Sequence, residues 1–544
     1  MYIKYSLISS AILTILVLII LYKYYKNNKN MLKKMVDLFS KKLITFVSKN
    51  YKIIFGGIVG LFFLTRLCLL DSIPFGIHVD EASVGYNAFS IAKYGVDRYL
   101  NSYPLYFLNF SNGQSAMYTY LLAILIKMFG YTLFVLRLPS VMFGFITLIF
   151  GYLLGKKMVN KNFGLLMALL ITICPYFIMA SRFALDCNLM LGMFTVCIYS
   201  LLKAIEKEDK LSYFVAGLLF GLTLYTYALS YIIIPVCLLS VLLYLIYTKK
   251  VKISHVMWFT VPLLILAMPL IVNVLVQLEI IPQVKTSYFS LLKMKSQRAS
   301  ELSFSLASII DNIKNVPNLL KNDSVYYNAF PKFGTLYLFS KPLVLLGLLV
   351  TIKRAFVDIK KREFNKNMYI LLLFLGNFIS MLFIFHGYFY INHLNSIYIF
   401  LVFFLARGMK KVCEYLKKYW FLIIIIYLLS FVYFCYFYFG EYSRIHNLPS
   451  FDEGYSLAIK DAYSHSRQVY ASEIPAGTLW AANSLQLSPY KYKENADFYS
   501  FKFYIPKKLD DRYSYVIKMD DYSKQKFKNY QCKKFEKYYS CYKK

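Results

Sequence analysis

Two adjacent carboxylates, Asp80 and Glu81, stand just past the end of an apolar run and open a stretch, residues 80–94, that reads as a helix. A carboxylate at such a boundary can take the proton of an attacking hydroxyl, the task of a general base. Adjacent helix positions point about 100° apart, so the two side chains are not expected to aim at one atom: one does chemistry and the other orients it or caps the helix. The bland alternative is an acidic residue favoured at a helix start by the dipole.

Residues 93–120 form an aromatic, amide- and glycine-rich loop containing Tyr106 and Gln114. Rings of this kind cover the apolar faces of sugars while amides reach their hydroxyls; the same composition also suits tyrosines at headgroup level. Farther along, Arg182 precedes Asp186 by one helical turn. Arginine is suited to bidentate phosphate contact and stays charged, the alternative being an ion pair between the two. Lys127 is a weaker phosphate candidate that could instead snorkel. Arg298 lies in the polar, basic segment 276–339, which could gate a lipid phosphate or merely cover headgroups. His78, His386 and His393 leave a divalent-cation site with Asp80 open, but histidines on such distant segments are more often ordinary polar contacts, so no metal ligand is assigned.

These residues must be positioned by a membrane framework. Of 544 residues, 58% are apolar and only 17% charged, well below the roughly quarter expected of a soluble chain. Apolar runs recur to about residue 440, many near the roughly 20 residues that cross a bilayer. The net charge of +34 would suggest nucleic acid in a soluble protein. Here the cations collect between apolar runs, as the positive-inside rule describes for cytoplasmic loops, so membrane lipid is the expected partner and nucleic acid is not.

The first apolar stretch, 6–22, has no small-residue cleavage site behind it and reads as a retained anchor, followed by a lysine-rich cytoplasmic stretch to residue 52. A span at 53–70 then emerges outside just before Asp80. From residue 135 the expected spans are 135–155, 163–180, 188–204, 212–228, 231–247, 256–275, 340–356, 368–386, 392–409 and 419–440. Basic clusters at 156–161, 203–210, 249–252, 353–362 and 410–418 fall at every second connection, consistent with one orientation. A crossing at 116–130 would break that pattern, so this stretch, which carries Lys127, is expected to lie at the outer interface.

The chain thus divides into an anchor and basic stretch (1–52), a transmembrane domain (53–440) with outer segments 71–134 and 276–339, and a small α/β extracytoplasmic domain (441–544). Cys532 and Cys541, the two cysteines of this tail, could pair in an oxidising exterior or remain free thiols. The other seven cysteines read as packing residues.

Several motifs occur together: Pro74-x-Gly76-x-His78-x-Asp80-Glu81-Ala82 with Gly85-Tyr86-Asn87-Ala88, Tyr94-Gly95-x-Asp97, Tyr103-Pro104-x-Tyr106-Phe107, Gly113-Gln114-Ser115, Arg137-Leu138-Pro139-Ser140, Ser181-Arg182-Phe183-Ala184-Leu185-Asp186, Phe333-Gly334-Thr335-Leu336-Tyr337 and Asn392-His393-Leu394-Asn395. Their order over roughly residues 53–470 resembles the membrane glycosyltransferases of the GT-C fold, in particular the bacterial glycosyltransferase family 39-like group, related to protein O-mannosyltransferases and lipid A aminoarabinose transferases. His393 departs from the resemblance, which would place Arg there.

The resemblance implies an all-α polytopic fold of about 11 to 12 transmembrane helices, a polyprenyl-phosphate sugar donor, and a protein, glycolipid or wall-polymer acceptor on the outer side. On that reading Asp80, with Glu81, is the catalytic pair, and an in-line attack inverts the anomeric carbon. Arg182, Lys127 and Arg298 would hold the donor phosphate, and His78, Tyr86, Tyr106, Gln114, Asp186 and His393 the substrates. The rival reading, a transporter or flippase of a lipid-linked saccharide, would need charged or broken helices at mid-membrane depth. The centres of the spans are nearly free of ionisable groups, which favours chemistry at one face. The Lys, Asn, Ile and Tyr richness points to an AT-rich bacterial genome.

Overall fold

A computed structural model describes residues 31–543 apart from 32, 110–111, 294–302, 304, 316–328, 358–361, 384–390, 446–450, 493–495, 498–499 and 521–525. The expected anchor at 6–22, Arg298 and His386 therefore lie outside the described residues.

An amphipathic helix α1 (Lys33–Lys49) bends by 83° into α2 (Tyr51–Leu67). After α2 come α3 (Val79–Tyr94), a hairpin of β1 (Tyr106–Asn109) and β2 (Asn112–Ser115), α4 (Ala116–Phe129) and α5 (Leu133–Met158). Helix α4 has 14 residues, about 21 Å at 1.5 Å per residue, short of the roughly 30 Å hydrocarbon thickness. Its Tyr118 hydroxyl donates to Leu136 O on α5 at 2.9 Å, fixing α4 against the start of that helix.

Helices α6 (Lys161–Ile173), α7 (Pro175–Ala180), α8 (Cys187–Lys207), α9 (Lys210–Thr223), α10 (Ser230–Tyr247) and α11 (Ile253–Gln277) follow. The single span expected at 163–180 is instead two helices: Pro175, lacking a backbone donor, opens α7. A short ladder β3 (Val284–Lys285) with β4 (Ser290–Leu291), then α12 (Leu306–Asn315), α13 (Lys341–Phe356), α14 (Lys366–Leu382), α15 (Tyr398–Leu416) and α16 (Phe421–Tyr436) complete the bundle. The span expected at 392–409 begins as a 3-10 segment, Ile391–Ile397, before α15.

Among the described residues, α5, α8, α10, α11 and the continuous stretch Phe421–Arg444 are long and apolar enough to cross a membrane, and the bent α1–α2 pair would make a sixth. Where helices cross most closely, glycine permits it. A side chain on Gly347 of α13 would collide with Phe404 O of α15, and one on Gly408 of α15 with Leu343 O of α13. Small residues that let backbones meet are the usual solution where lipid removes the hydrophobic drive between helices.

The five basic clusters gather at one end of the bundle. Lys157 and Lys366 both bind Glu206, the latter at 2.6 Å, while Lys250 and Lys252 bind Glu208. Arg354 and Lys410 line a common pocket with Val159, and Lys418 donates to Lys33 O of α1 at 3.0 Å. The α2–α3 connection, the hairpin and the α7–α8 turn come together elsewhere, around Asp80.

After α16 come α17 (Glu453–His465), β5 (Val469–Ala471), α18 (Gly477–Ser484), β6 (Phe501–Lys502), β7 (Ser514–Lys518), β8 (Gln531–Phe535) and β9 (Tyr538–Tyr542). The sheet order is β6-β5-β7-β9-β8, with β5 parallel to both neighbours and β9 antiparallel to β7 and β8. Cys532 and Cys541 sit directly opposite on β8 and β9 and form a disulfide. The main core of this segment is shared with the helical region. Tyr455, Ile459, Trp480 and Val516 pack in one cluster with Ile77, Tyr86 and Phe89 of the α3 region and Leu136 of α5.

Candidate active site

The site grows from the first turn of α3. His78 is its N-cap, in extended conformation: its Nδ1 accepts the Asp80 N–H at 3.1 Å, and Glu81 Oε2 accepts the His78 N–H at 3.1 Å. This is a capping box with histidine in the place usually taken by Ser or Thr. The ring is buried against Phe183 and Phe451, each at 5.2 Å between centroids. Burial holds the imidazole below its ordinary value of 6.5, outweighing the pull of Asp80 and Glu81. With Nδ1 an acceptor, the 3.6 Å approach of Asp80 Oδ2 to it is a polar contact rather than an ion pair.

Adjacent on the helix, the two carboxylates part as the 100° step requires. Asp80 turns outward with its side chain 35% exposed, and its Oδ1 accepts Asn109 Nδ2 at 3.2 Å. Glu81 turns inward and is fully buried with Arg137. Its Oε1 accepts Arg137 Nε at 3.0 Å and Ala184 N at 2.8 Å; its Oε2 accepts Arg137 Nη2 at 3.0 Å besides His78 N. Arg137 also donates to Leu70 O, Pro74 O and Gly76 O. In this structure Glu81 is closed off, both oxygens taken by these donors. It is a positioning residue that ties α3, the 70–76 connection, the start of α5 and residue 184 together.

Arg182 is likewise corrected. It is fully buried; its Nη1 donates to Thr65 O, Arg66 O and Cys68 O, and its Nη2 to Leu69 O and Ile73 O, at 2.8–3.1 Å. Both terminal nitrogens are spent on the C-terminal end of α2 and the turn after it, so the guanidinium clamps backbone instead of offering a fork to phosphate. Nor does Asp186 face it: Asp186 Oδ2 accepts Ser115 N at 2.9 Å and Oδ1 accepts Cys187 N at 2.8 Å, capping α8 and anchoring the end of the hairpin.

Tyr86 is buried at the junction with the C-terminal sheet, its hydroxyl donating to Leu487 O at 3.0 Å, and so is a packing residue rather than a substrate contact. Tyr106 bridges the hairpin to Gly113 O at 3.2 Å. His393, half-buried, lies in the 3-10 segment before α15, 6.4 Å from the Tyr227 ring. Lys127 is exposed near the C-terminal end of α4. Among the described residues no three His, Cys, Asp or Glu side chains gather to hold a metal ion.

Gln114 and Asn109 carry the most specific polar information. The register pairs Phe107 with Gln114 and Asn109 with Asn112, and since alternate residues share a face, Asn109 and Gln114 lie on one side of the hairpin. Asn109 Oδ1 and Gln114 Oε1 are buried without a hydrogen-bond partner among the described residues. Buried acceptors left unmatched are costly and point to donors a ligand would supply. The role of Asn109 was not legible in sequence, because only hairpin register brings it to Asp80. Arg137 could have been found as a cation opening an apolar helix, which must have a partner.

Residues 114–276 match the family model described as dolichyl-phosphate-mannose-protein mannosyltransferase. No curated protein sequence matches the chain. Among solved structures, ArnT from Cupriavidus metallidurans bound to undecaprenyl phosphate superposes with a TM-score of 0.53 at 10% identity, covering 90% of this chain and 97% of that one. The same protein in its apo state gives 0.52 at 10% identity, covering 91% and 98%. The Archaeoglobus fulgidus oligosaccharyltransferase gives 0.47 at 14% identity over 79% of this chain, which spans 63% of that protein's length. The chain has the GT-C fold of membrane glycosyltransferases.

Proposed function

We propose that this protein is an integral membrane glycosyltransferase that moves a sugar from a polyprenyl-phosphate-linked donor to an acceptor hydroxyl. The observation that carries the reading is Asp80: an outward-facing carboxylate on a rigidly braced helix start, hydrogen-bonded to Asn109 of the hairpin. The GT-C fold and the family match over 114–276 support it. In this reaction the acceptor oxygen attacks the anomeric carbon, the lipid phosphate leaves with the bonding electrons, and Asp80 takes the acceptor's proton. Attack opposite the leaving group inverts the anomeric centre.

Sugar hydroxyls would donate to Asn109 Oδ1 and Gln114 Oε1. With Arg182 committed to backbone, Lys127 and Arg298 remain as the cations for the phosphate. The basic end of the bundle faces the cytoplasm by the positive-inside rule, so Asp80 faces the outside and the acceptor is a protein, glycolipid or wall polymer there.

The test is incubation of the purified protein with radiolabelled polyprenyl-phosphate sugars and membrane extract, comparing wild type with Asp80→Asn. Transfer should fall by at least about a hundredfold in a variant that melts like wild type, and the product should have inverted configuration. Full transfer by the variant, or retention, would overturn the assignment.

A further inference from the structure

At the other end of the bundle a buried cation has no counter-ion among the described residues. Arg407 on α15 is 3% exposed, and its Nε, Nη1 and Nη2 have no hydrogen-bond partner among the described residues. The guanidinium lies over Phe403 at 5.0 Å and near Phe163 at 5.9 Å. Ring faces attract a cation but leave its five N–H donors unmatched. Arg407 lines a tight niche with Arg354, Lys410 and Lys411; among the described residues the acid there, Glu414, is paired to Lys410 at 3.6 Å and to Lys411 at 3.2 Å. Among the described residues the niche is short of negative charge.

Beside it runs an apolar groove of about 770 Å³ between α1, α2, α6 and α16, lined by Phe39, Ile44, Ile58 and Trp420, and sharing Lys410 and Glu414 with the niche. A buried fork of donors joined to an apolar trough matches one chemistry, a phosphate bearing hydrocarbon chains.

We propose that this end of the protein binds an anionic phospholipid, its phosphate reaching the Arg407 niche with Arg354 and Lys411, and its acyl chains lying along Trp420. Basic pockets between spans on the cytoplasmic side are suited to such headgroups, and the proposal does not depend on the chemistry at Asp80.

Trp420 supplies the readout. The full chain carrying Trp258→Phe keeps Trp420 in the groove and Trp480, which is 1% exposed, out of reach. In detergent micelles it is titrated with phosphatidylglycerol or phosphatidylcholine brominated on the acyl chains. Half-quenching should need about tenfold less of the anionic lipid, the worth of one charge-assisted contact, and Arg407→Gln should erase that preference. Should Arg407→Gln not fold, the pair Arg354→Gln and Lys411→Gln should reduce the preference to about threefold. Equal quenching by the two lipids, or a preference that survives the substitutions, overturns the proposal.

Discussion

Glu81 and Arg137 form a two-pronged ion pair, 3.0 Å at both contacts, with neither side chain reaching solvent. The pair does no chemistry, yet it sets the direction in which the neighbouring Asp80 points. Breaking a buried pair by removing one partner strands the other charge and costs about 3–5 kcal/mol. Glu81→Gln and Arg137→Met should therefore lower the melting temperature and the yield of folded protein together with activity, whereas Asp80→Asn should leave melting unchanged. A Glu81→Gln variant with native stability would show that the brace is dispensable.

Asn109 donates to Asp80 from the β1–β2 hairpin. A hydrogen bond to a charged group is worth about 1.5–3 kcal/mol, so Asn109→Ala should slow transfer by about tenfold or more with little change in melting. Steady-state rates at saturating donor would reveal it; unchanged rates would remove Asn109 from the site.

His78 gives the fold a defined acid sensitivity. Its folded value is depressed, so below its ordinary value of 6.5 the unfolded chain binds a proton that the folded chain refuses, and stability falls with acidification until the depressed value is passed. Asparagine is a strong N-cap, so His78→Asn should keep the cap and lose this term. Melting curves at about pH 7.5 and about pH 5.5 should show a smaller acid-induced drop for the variant than for wild type. Identical drops would place the sensitivity elsewhere; Asp97 and Glu453, whose burial raises them, gain stability on acidification and cannot supply it.

The disulfide between Cys532 and Cys541 closes a loop of sequence separation 9, for which chain entropy gives about 2.5 kcal/mol. Replacing both cysteines by serine should loosen the β8–β9 edge, read as faster proteolysis after Lys533 or Lys534. Mass mapping without reductant should recover the two peptides joined; finding both thiols free would remove the staple.

Gly347 and Gly408 meet across α13 and α15 with no room for a side chain on either. Gly347→Leu should separate the helices and lower folded yield severalfold in a fluorescence size-exclusion assay, whereas Gly56→Leu, at a position with open space, should not. Equal yields would show that the crossing tolerates a wider gap.

The apolar runs and the alternating basic clusters made the helical framework and its basic end readable in advance, because bilayer thickness and loop charge impose strong patterns on composition. The divergence of Asp80 and Glu81 was readable too, since it follows from helical geometry alone. Arg182 and Asp186 misled: their spacing fits phosphate binding or a mutual ion pair, but the backbone carbonyls and amides that claim them belong to residues as distant as Thr65 and Ser115. Nothing local encodes such pairings. The part played by Asn109 was hidden for the same reason, and the fusion of the tail's core with α3 depends on Tyr86 and Trp480 meeting from opposite ends of the sequence.

That fusion bears on biogenesis. His78, which orders the first turn of α3, rests on Phe451, and Gly76 lies so close to Glu453 that a methyl group there would come within 2.6 Å of its Cβ. Both contacts come from residues synthesised after every span, so the bed beneath the reactive carboxylate is finished last. A nascent chain stalled before this segment would have most of its helices and lack the packing beneath the first turn of α3.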